Sequence, residues 1–221
     1  MKKIFMVLAA IFLLAIMACS GGGGSTTTPP PESTVFNLGK FTDLTTGTSY
    51  TLDFTGSDTT GASYTGTQQI TVVGPTTFEG KSVIQKDGIL VLTKVGVGVI
   101  INSIIQTYYY HDRTLYKIVY SSGVTATPSN TFPLPTTVEI GNIDEGQSLA
   151  YSNGNSTTET WQVTDAGYNI AYIVFTSTSN LEVSEIDTIT INTEGTISGI
   201  TEVIYNFPST GVTTTLHGTV Q

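Results

Sequence analysis

The chain has 221 residues, a formal net charge of −9 and a single cysteine. Phosphate backbones repel an acidic chain, so this charge excludes nucleic acid as an expected partner, and one cysteine excludes an internal disulfide. Charged residues make up only 11 % of the chain, and β-branched residues, above all Thr, are frequent. This composition favours a folded all-β domain, stabilised by an apolar core, over a disordered chain.

The first 18 residues have the layout of a secretory signal peptide. Lys2 and Lys3 precede an unbroken run of apolar or small residues over 4–18. A helix of this length spans roughly 22 Å, which is short of the hydrocarbon core of a bilayer at about 30 Å. We therefore interpret residues 1–18 as a removable signal and not as a permanent transmembrane anchor.

The single cysteine follows this run directly. Ile16 lies three positions before Cys19, and the small residue Ala18 lies just before it. This arrangement resembles the lipobox of bacterial lipoproteins, with Met17 where a small residue is usual. The resemblance implies cleavage after Ala18 and a mature N-terminal Cys19 that carries a diacylglyceryl thioether and an N-linked acyl chain. It also implies the outer membrane, because Ser20 is not the aspartate associated with inner-membrane retention.

Residues 20–34 are predicted to be a tether. They read SGGGGSTTTPPPEST and contain no large apolar side chain, so they cannot bury enough surface to fold. The Gly/Ser half is typical of a flexible coil and the prolines favour polyproline II, which gives a span of very roughly 20–25 Å. We expect a lipidated segment, 19–34, that holds a single all-β domain, 35–221, clear of the lipid headgroups.

Alternating apolar residues and turn signals then predict an antiparallel meander of about ten to twelve strands. Strands over 48–54 and 64–73 flank a turn that contains Gly56, Asp58 and Gly61. The segment 212–220 is predicted to be a closing strand. Between them, four further hairpins are predicted to turn at Asp87–Gly88, His111–Arg113, Asp165–Gly167 and Thr193–Gly195.

Two segments fit the meander less simply. Residues 94–107 alternate valines as a strand does, but their isoleucines lie on one helical stripe, so a buried strand is favoured while a short helix stays open. The proline-rich stretch 126–141 predicts a long irregular connection that separates two groups of strands. The segments on either side of it share a rhythm of strand, polar loop and strand, which also fits a diverged duplication.

A meander of this length must protect its edge strands. It can form a curved sheet, an open or closed barrel, or a two-sheet sandwich, with one short helix as an option. The predicted acyl anchor and the curved meander together resemble lipoprotein carriers with an open β-barrel. That resemblance concerns architecture alone, because no residue motif carries it.

The sequence holds no recognisable catalytic or metal-binding motif. His111 falls in a predicted turn and His217 in the closing strand, and neither has the spacing of a zinc site. We therefore expect both to be solvated, and we expect no catalytic residue, metal or cofactor. Two acidic clusters lack the spacing of a calcium loop and are interpreted as solvated strand ends: Glu182, Glu185 and Asp187, and the pair Asp144–Glu145.

Aromatic residues supply the remaining candidates for ligand contact. Alternation places Tyr108 and Tyr110 on one face of a strand and Tyr109 on the other, and Trp161 lies in a later strand. Such residues usually pack as cross-strand pairs, and exposed ones can stack on sugars or line an apolar cavity. We interpret Tyr108, Tyr110 and Trp161 as packing residues first and ligand contacts second.

Together these features predict a membrane-anchored lipoprotein of the bacterial envelope with a non-catalytic binding or scaffolding β domain. Its acyl chains make the membrane a partner, while a protein, glycan or apolar ligand is left open. One alternative is a carrier or chaperone for lipid or another apolar ligand within a curved sheet. The other is an envelope glycan hydrolase that uses paired carboxylates on different strands.

Overall fold

The computed structural model describes residues 34–38, 43–132, 135–180, 184–196, 201–207 and 210–221. The predicted signal, Ala18, Cys19 and nearly all of the tether lie outside these residues. Every regular element in the described part is a β-strand, so the all-β prediction is confirmed. Residues 94–107 contain no helix, but the buried strand predicted there is only partly correct, because 95–97 form an exposed turn and β5 begins at Gly98. Across the described residues, no helix is long and apolar enough to cross a membrane.

The structure has the following strands in its first half: β1 Val35–Asn37, β2 Ser49–Asp58, β3 Ser63–Phe78, β4 Lys81–Lys94, β5 Gly98–Tyr109, β6 Leu115–Tyr120 and β7 Thr125–Pro128. The second half contains β8 Thr137–Glu139, β9 Ile143–Glu145, β10 Leu149–Tyr151, β11 Ser156–Gly167, β12 Ile170–Ser179, β13 Ser184–Asn192, β14 Thr201–Phe207 and β15 Val212–Val220. Strands β3 and β4 are the longest, at 16 and 14 residues.

Twelve of these strands form a closed antiparallel barrel. The ring runs from β2 through β7, then through β10 to β15, and β15 pairs back with β2. Of the predicted architectures the closed barrel is therefore the one that forms. Closure removes the edge strands that a long open meander would expose.

The ring closes through a very short pairing. Strand β10 pairs with β11 at only two positions, Leu149 with Thr157 and Ala150 with Ser156. Further along β11, the extra strand β9 pairs with Thr160–Gln162. The edge of β11 is therefore shared between β10 and β9. The proline-rich connection carries β8 and β9, and it does not divide the strands into two sheets, because β7 pairs directly with β10.

Two predicted turns are misplaced. Asp87–Gly88 lies inside β4, where Asp87 pairs with Thr71 on one side and Gln106 on the other. The hairpin turns instead at Glu79–Gly80, where both residues have the positive φ angles, 50° and 75°, that a tight two-residue turn requires. The turn predicted at Asp165–Gly167 falls two residues later, at Tyr168–Asn169. Pairing along long strands overrides a local Asp-Gly signal.

Other predicted turns are confirmed. The chain reverses at His111–Arg113 between β5 and β6, and at Thr193–Glu194 after β13. The turn between β2 and β3 lies at 59–62, so Gly56 and Asp58 belong to β2. Strand β15 covers the predicted closing segment and completes the ring.

Inward-facing side chains form two apolar clusters, and the outward positions are rich in Thr. At one end of the barrel, which we call the capped end, β1 pairs with β8 and buries Phe36 and Val138 completely, at 0 % and 1 % exposure. The Asn37 amide there donates to the Thr193 carbonyl at 2.9 Å. The opposite end, which we call the hairpin end, carries the turn between β4 and β5.

Candidate functional site in the barrel interior

Three carboxyl side chains of β11 and β13 lie inside the barrel, where alternation along these two strands directs them. Glu159, Glu185 and Asp187 are only 3 %, 1 % and 5 % exposed. Glu159 faces Ser177 on β12, and Ser177 faces Glu185 on β13, so the acids occupy neighbouring positions on one wall. The interpretation of Glu185 and Asp187 as solvated strand ends is therefore wrong, and Glu182 lies outside the described residues.

The periodicity of β13 contains the signal for this burial. Asp187, Ile189 and Ile191 occupy every second position of β13, so all three side chains point to the same face. Ile189 and Ile191 are 4 % and 0 % exposed. Asp187 thus lies between Ile189 of one apolar cluster and Val203, its neighbour on β14, of the other. The charge of Asp187 alone predicts that its side chain is exposed to solvent. The two-residue period of the strand places the same side chain in the core.

Three tyrosines face the same region from other walls. Tyr205 lies directly opposite Glu185 on the neighbouring strand β14. Tyr120 and Tyr151 approach from β6 and β10, with their ring centroids 6.3 Å apart. Burial raises the pKa of Tyr151 to about 12, and burial also raises the pKa of Tyr120 and Tyr205. All three hydroxyls therefore keep their protons and remain hydrogen-bond donors at neutral pH.

The carboxyls are held toward their protonated forms. Burial raises the pKa of Glu159 well above its ordinary value, although the Gln147 amide donates to it at 3.3 Å and the Ser177 hydroxyl at 3.4 Å. Burial, followed by the charge of Asp187, raises the pKa of Glu185, and burial raises the pKa of Asp187 to about 8. We call these three acids with Tyr120, Tyr151 and Tyr205 the interior cluster.

Tyr205 and Asp187 lie close to Glu185, and Tyr120 and Thr157 lie close to Tyr151. Several polar atoms of this region nevertheless make no hydrogen bond of ordinary geometry within the described chain. They are both carboxyl oxygens of Glu185, Oδ1 of Asp187, the Tyr151 hydroxyl, the Thr157 hydroxyl and Nε1 of Trp161. Buried polar groups are almost always hydrogen-bonded, so such a concentration calls for an explanation. No ion pair in the described residues includes any of the three acids. Within the interior cluster, the unpartnered atoms of Glu185, Asp187 and Tyr151 therefore offer donors and acceptors without a neutralising base.

The three aromatic candidates are separated by the fold. Trp161 is 2 % exposed and faces the interior, two positions along β11 from Glu159. Tyr108 faces outward but is covered by Phe78, whose ring stacks on it at 3.9 Å with an 8° interplanar angle. Tyr110 follows β5 and packs against Tyr116 at 5.2 Å. Trp161 alone of the three lies beside the interior cluster.

The remaining candidate residues lie on the surface. His111 is exposed at its turn, where its Nε2 lies 3.1 Å from the Ser82 hydroxyl. His217 is exposed on β15, 3.8 Å from the Glu202 carboxylate. Asp144 and Glu145 belong to β9, outside the ring. Within the described ranges, no three His, Cys, Asp or Glu side chains are placed to hold one metal ion.

A buried lysine was not singled out from the sequence. Lys86 of β4 is 3 % exposed and faces Thr107 on β5, whose hydroxyl has no partner within the described chain. Burial lowers the pKa of Lys86 to about 8. Lys86 lies an even number of positions from the buried Leu90 and Leu92 along β4, and this spacing in the sequence places its side chain on the inner face. No hydrogen bond or ion pair joins it to the acids of the interior cluster among the described residues.

Asp58 is a structural carboxylate at the hairpin end. It accepts hydrogen bonds from the Thr60 hydroxyl at 2.6 Å, the Tyr64 hydroxyl at 2.6 Å and the Ala62 amide at 3.0 Å. These hydrogen bonds, that of Thr60 first, hold its pKa far below the ordinary value. Lys94 lies 3.4 Å from the same carboxylate. These contacts fix the turn between β2 and β3.

No protein-family model, curated protein or solved structure matches the chain. The function is therefore inferred from the residues of the barrel itself.

Proposed function

We propose that the chain is a lipid-anchored binding protein of the bacterial envelope, without catalytic activity, held in the outer membrane through Cys19. The segment Ile16–Cys19 and the Gly/Ser/Thr/Pro tether support the anchoring. Two or more acyl chains hold a protein firmly at a bilayer, whereas one chain binds only marginally. The domain that this anchor holds is the closed barrel.

The interior cluster is the observation that supports a binding role. An eight-stranded barrel is wide enough for side chains or one small ligand, and the diameter grows with strand number. A ring of twelve strands therefore encloses more space, of which β1 and β8 occupy the capped end. The unpartnered atoms of Glu185, Asp187 and Tyr151 are buried polar groups of this interior, which a bound ligand would supply with hydrogen bonds. We assign this region as the binding site for a small ligand.

The chemistry of the site fits an amine cation. Glu159, Glu185 and Asp187 are acids without a basic neighbour, and an ammonium group placed among them would lower their pKa values and restore their charge. Aromatic faces attract cations, and Tyr120 and Tyr151 bring two rings to the same region. A neutral polar ligand would gain the hydrogen bonds but not this charge pairing.

The experiment compares ethylammonium chloride with sodium chloride at equal ionic strength and measures thermal unfolding. Ethylammonium is expected to raise Tm more than sodium does, because a ligand that binds the folded state stabilises it. Glu185→Gln should reduce this difference. Glu202→Gln, an outward-facing carboxyl on β14 with a side chain 38 % exposed, is the matched control and should leave it unchanged. Equal effects of the two salts on the native chain would contradict the proposal.

A carrier of apolar ligands is the second candidate, supported by the large apolar cluster that adjoins the interior cluster. Native mass spectrometry of the purified protein separates the two, because a carrier should retain an apolar molecule and an amine-binding protein should not. The hydrolase alternative has less support. Its paired carboxylates must reach a polysaccharide, whereas these acids are at most 5 % exposed.

A further inference from the structure

The turn between β4 and β5 presents apolar side chains to solvent. Val95, Val97 and Val99 are 60 %, 71 % and 62 % exposed. Gly96 and Gly98 alternate with them at positive φ angles of 79° and 107°, so the backbone of this turn needs glycine and the valines are held outward. Isolated apolar residues are normal on a surface, but three at one hairpin tip form a feature.

Two more apolar side chains are exposed further along the outer face of the same hairpin. Ile89 of β4 and Ile104 of β5 are paired neighbours, and they are 41 % and 48 % exposed. We define the hairpin patch as Val95, Val97, Val99, Ile89 and Ile104. The nearest charged side chain to its tip in sequence is the basic Lys94, and residues 95–111 contain no Asp, Glu, Lys or Arg.

The size of the patch indicates what it fits. Stable protein interfaces bury about 800 Å² on each partner. A large aromatic side chain buries about 150–250 Å², and valine and isoleucine are smaller, so five such partly exposed residues fall short of that area. A lipid surface has no such minimum, because each apolar side chain that enters the interface contributes by itself.

We propose that the hairpin patch contacts the same bilayer that holds the acyl anchor. This inference rests on the proposed lipid anchoring of Cys19. Tethering keeps the barrel at a high effective concentration near one bilayer, so a patch too weak to bind membranes alone becomes occupied. A second bilayer would have no such advantage. The acidic chain is repelled by anionic headgroups, and the valine tip of the patch, whose nearest charged residue in sequence is Lys94, meets lipid without this cost.

The geometry allows both contacts at once. Residue 34 enters the barrel at the capped end, and the patch begins at the hairpin end. Fourteen residues of β4 separate the ends, which corresponds to about 46 Å at roughly 3.3 Å per residue. The segment 20–34 can reach about 50 Å when fully extended. The barrel therefore lies on its side, with the β4–β5 face toward the headgroups.

The test places a fluorescent reporter in the patch of the acylated protein. Val97→Trp is reconstituted into vesicles of zwitterionic lipid with brominated acyl chains, which quench tryptophan on contact. Ile143→Trp is the matched control, because Ile143 on β9 is 72 % exposed and lies outside the patch. The buried Trp161 gives the same background in both variants. Circular dichroism and Tm verify that each variant is folded.

The expected result is a loss of fluorescence for Val97→Trp in brominated vesicles and none for Ile143→Trp. Adding Val95→Asp and Val99→Asp to the reporter variant should abolish the loss, because charges do not enter the apolar region. A second arm anchors the protein in unbrominated vesicles and adds brominated ones. Quenching in this arm alone would overturn the assignment to the anchoring bilayer.

Equal signals from the two reporters in the first arm would overturn the membrane contact itself. Anchoring is measured separately, by flotation of the protein with the vesicles before any fluorescence is recorded. Protein that fails to float contradicts the lipid anchor and, with it, this inference. Protein that floats without quenching contradicts the hairpin contact alone.

Discussion

Asp187 demonstrates what burial does to a carboxyl without a basic neighbour. Burial raises its pKa to about 8 in the folded chain from an ordinary value of 3.8. The folded state therefore holds the proton more tightly than the unfolded state does. The corresponding stability is fully present below about pH 4 and is lost as the pH rises through about 8.

We expect Asp187→Asn to flatten this dependence, because the amide is neutral at every pH. The native chain should lose stability between pH 5 and pH 8.5, and the variant should lose less. In domains of 150–250 residues about 1 kcal/mol corresponds to roughly 2–4 °C in Tm, so a difference of several degrees at pH 8.5 is the expected scale. Thermal unfolding at both pH values measures it. Asp53→Asn, an exposed position on β2, is the control, and parallel curves for Asp187→Asn and the native chain would refute the argument.

Asp58 has the opposite pH dependence. Its folded pKa is lowered, so it contributes stability above its unfolded pKa that is lost as the pH falls toward the folded value. Asp58→Asn weakens the hydrogen bonds from Thr60 and Tyr64 and should cost roughly 1–3 kcal/mol at neutral pH. Urea unfolding at pH 7 and pH 3 measures this. Asp112→Asn, at the exposed β5–β6 turn, should cost less, and a cost for Asp58→Asn that is equal at both pH values would contradict the electrostatic explanation.

At the scale of elements, the seam between β10 and β11 depends on one glycine. A Cβ on Gly146 would collide with Oε1 of Glu159 and lie 2.8 Å from its Cγ. The Gly146 amide also donates to the Glu159 carbonyl at 2.8 Å, so the backbone cannot withdraw without losing that bond. The connection between β9 and β10 therefore needs glycine at position 146, because the buried Glu159 side chain leaves no room for a Cβ.

Gly146→Ala should destabilise the barrel by about 1–3 kcal/mol, the usual cost of overpacking a buried position. In the background Glu159→Ala, which removes the obstructing carboxyl, the same substitution should cost much less. Urea unfolding of the native chain, both single variants and the double variant gives the coupling energy. Additive effects would show that the collision does not limit the seam.

The strands of the barrel were predictable where alternation is long. Leu52 and Phe54 mark β2, and Trp161 and Val163 mark β11, because each pair repeats at the two-residue period. Asp87–Gly88 misled the prediction, since pairing on both sides of β4 outweighs a local turn preference. Closure was not predictable, because the two pairs between β10 and β11 carry no distinctive residues and the ring depends on contacts distant in sequence.

The candidate site was predictable only in part. Trp161 was singled out as an aromatic, and it lies beside the interior cluster. The charge of Glu185 and Asp187 predicts exposure to solvent, whereas their position on the same face of β13 as Ile189 places both in the core. Tyr151, on a strand of three residues, has too short a pattern to assign a face. Its position follows from its pairing with Ala126 on β7.

For the whole molecule, the proposed location of the protein depends on one sulfur, that of Cys19. Cys19→Ala should move the protein from the membrane fraction to the soluble fraction and abolish labelling by a fatty-acid analogue, because the proposed acyl chains then have no point of attachment. Ser25→Ala in the tether is the control and should change neither. Fractionation with detergent phase separation measures the outcome. A variant that still partitions into detergent would contradict the lipobox interpretation.

The order of strands around the ring also has a consequence for how the chain is made. Strand β15 pairs with both β14 and β2, so residues 212–220 join the latest part of the barrel to its earliest. Before these residues are synthesised, β14 and β2 each lack one partner strand and form two unpaired edges. The barrel can therefore close only after residues 212–220 have been synthesised. A truncated chain would keep two unpaired edge strands, which makes it prone to proteolysis and aggregation.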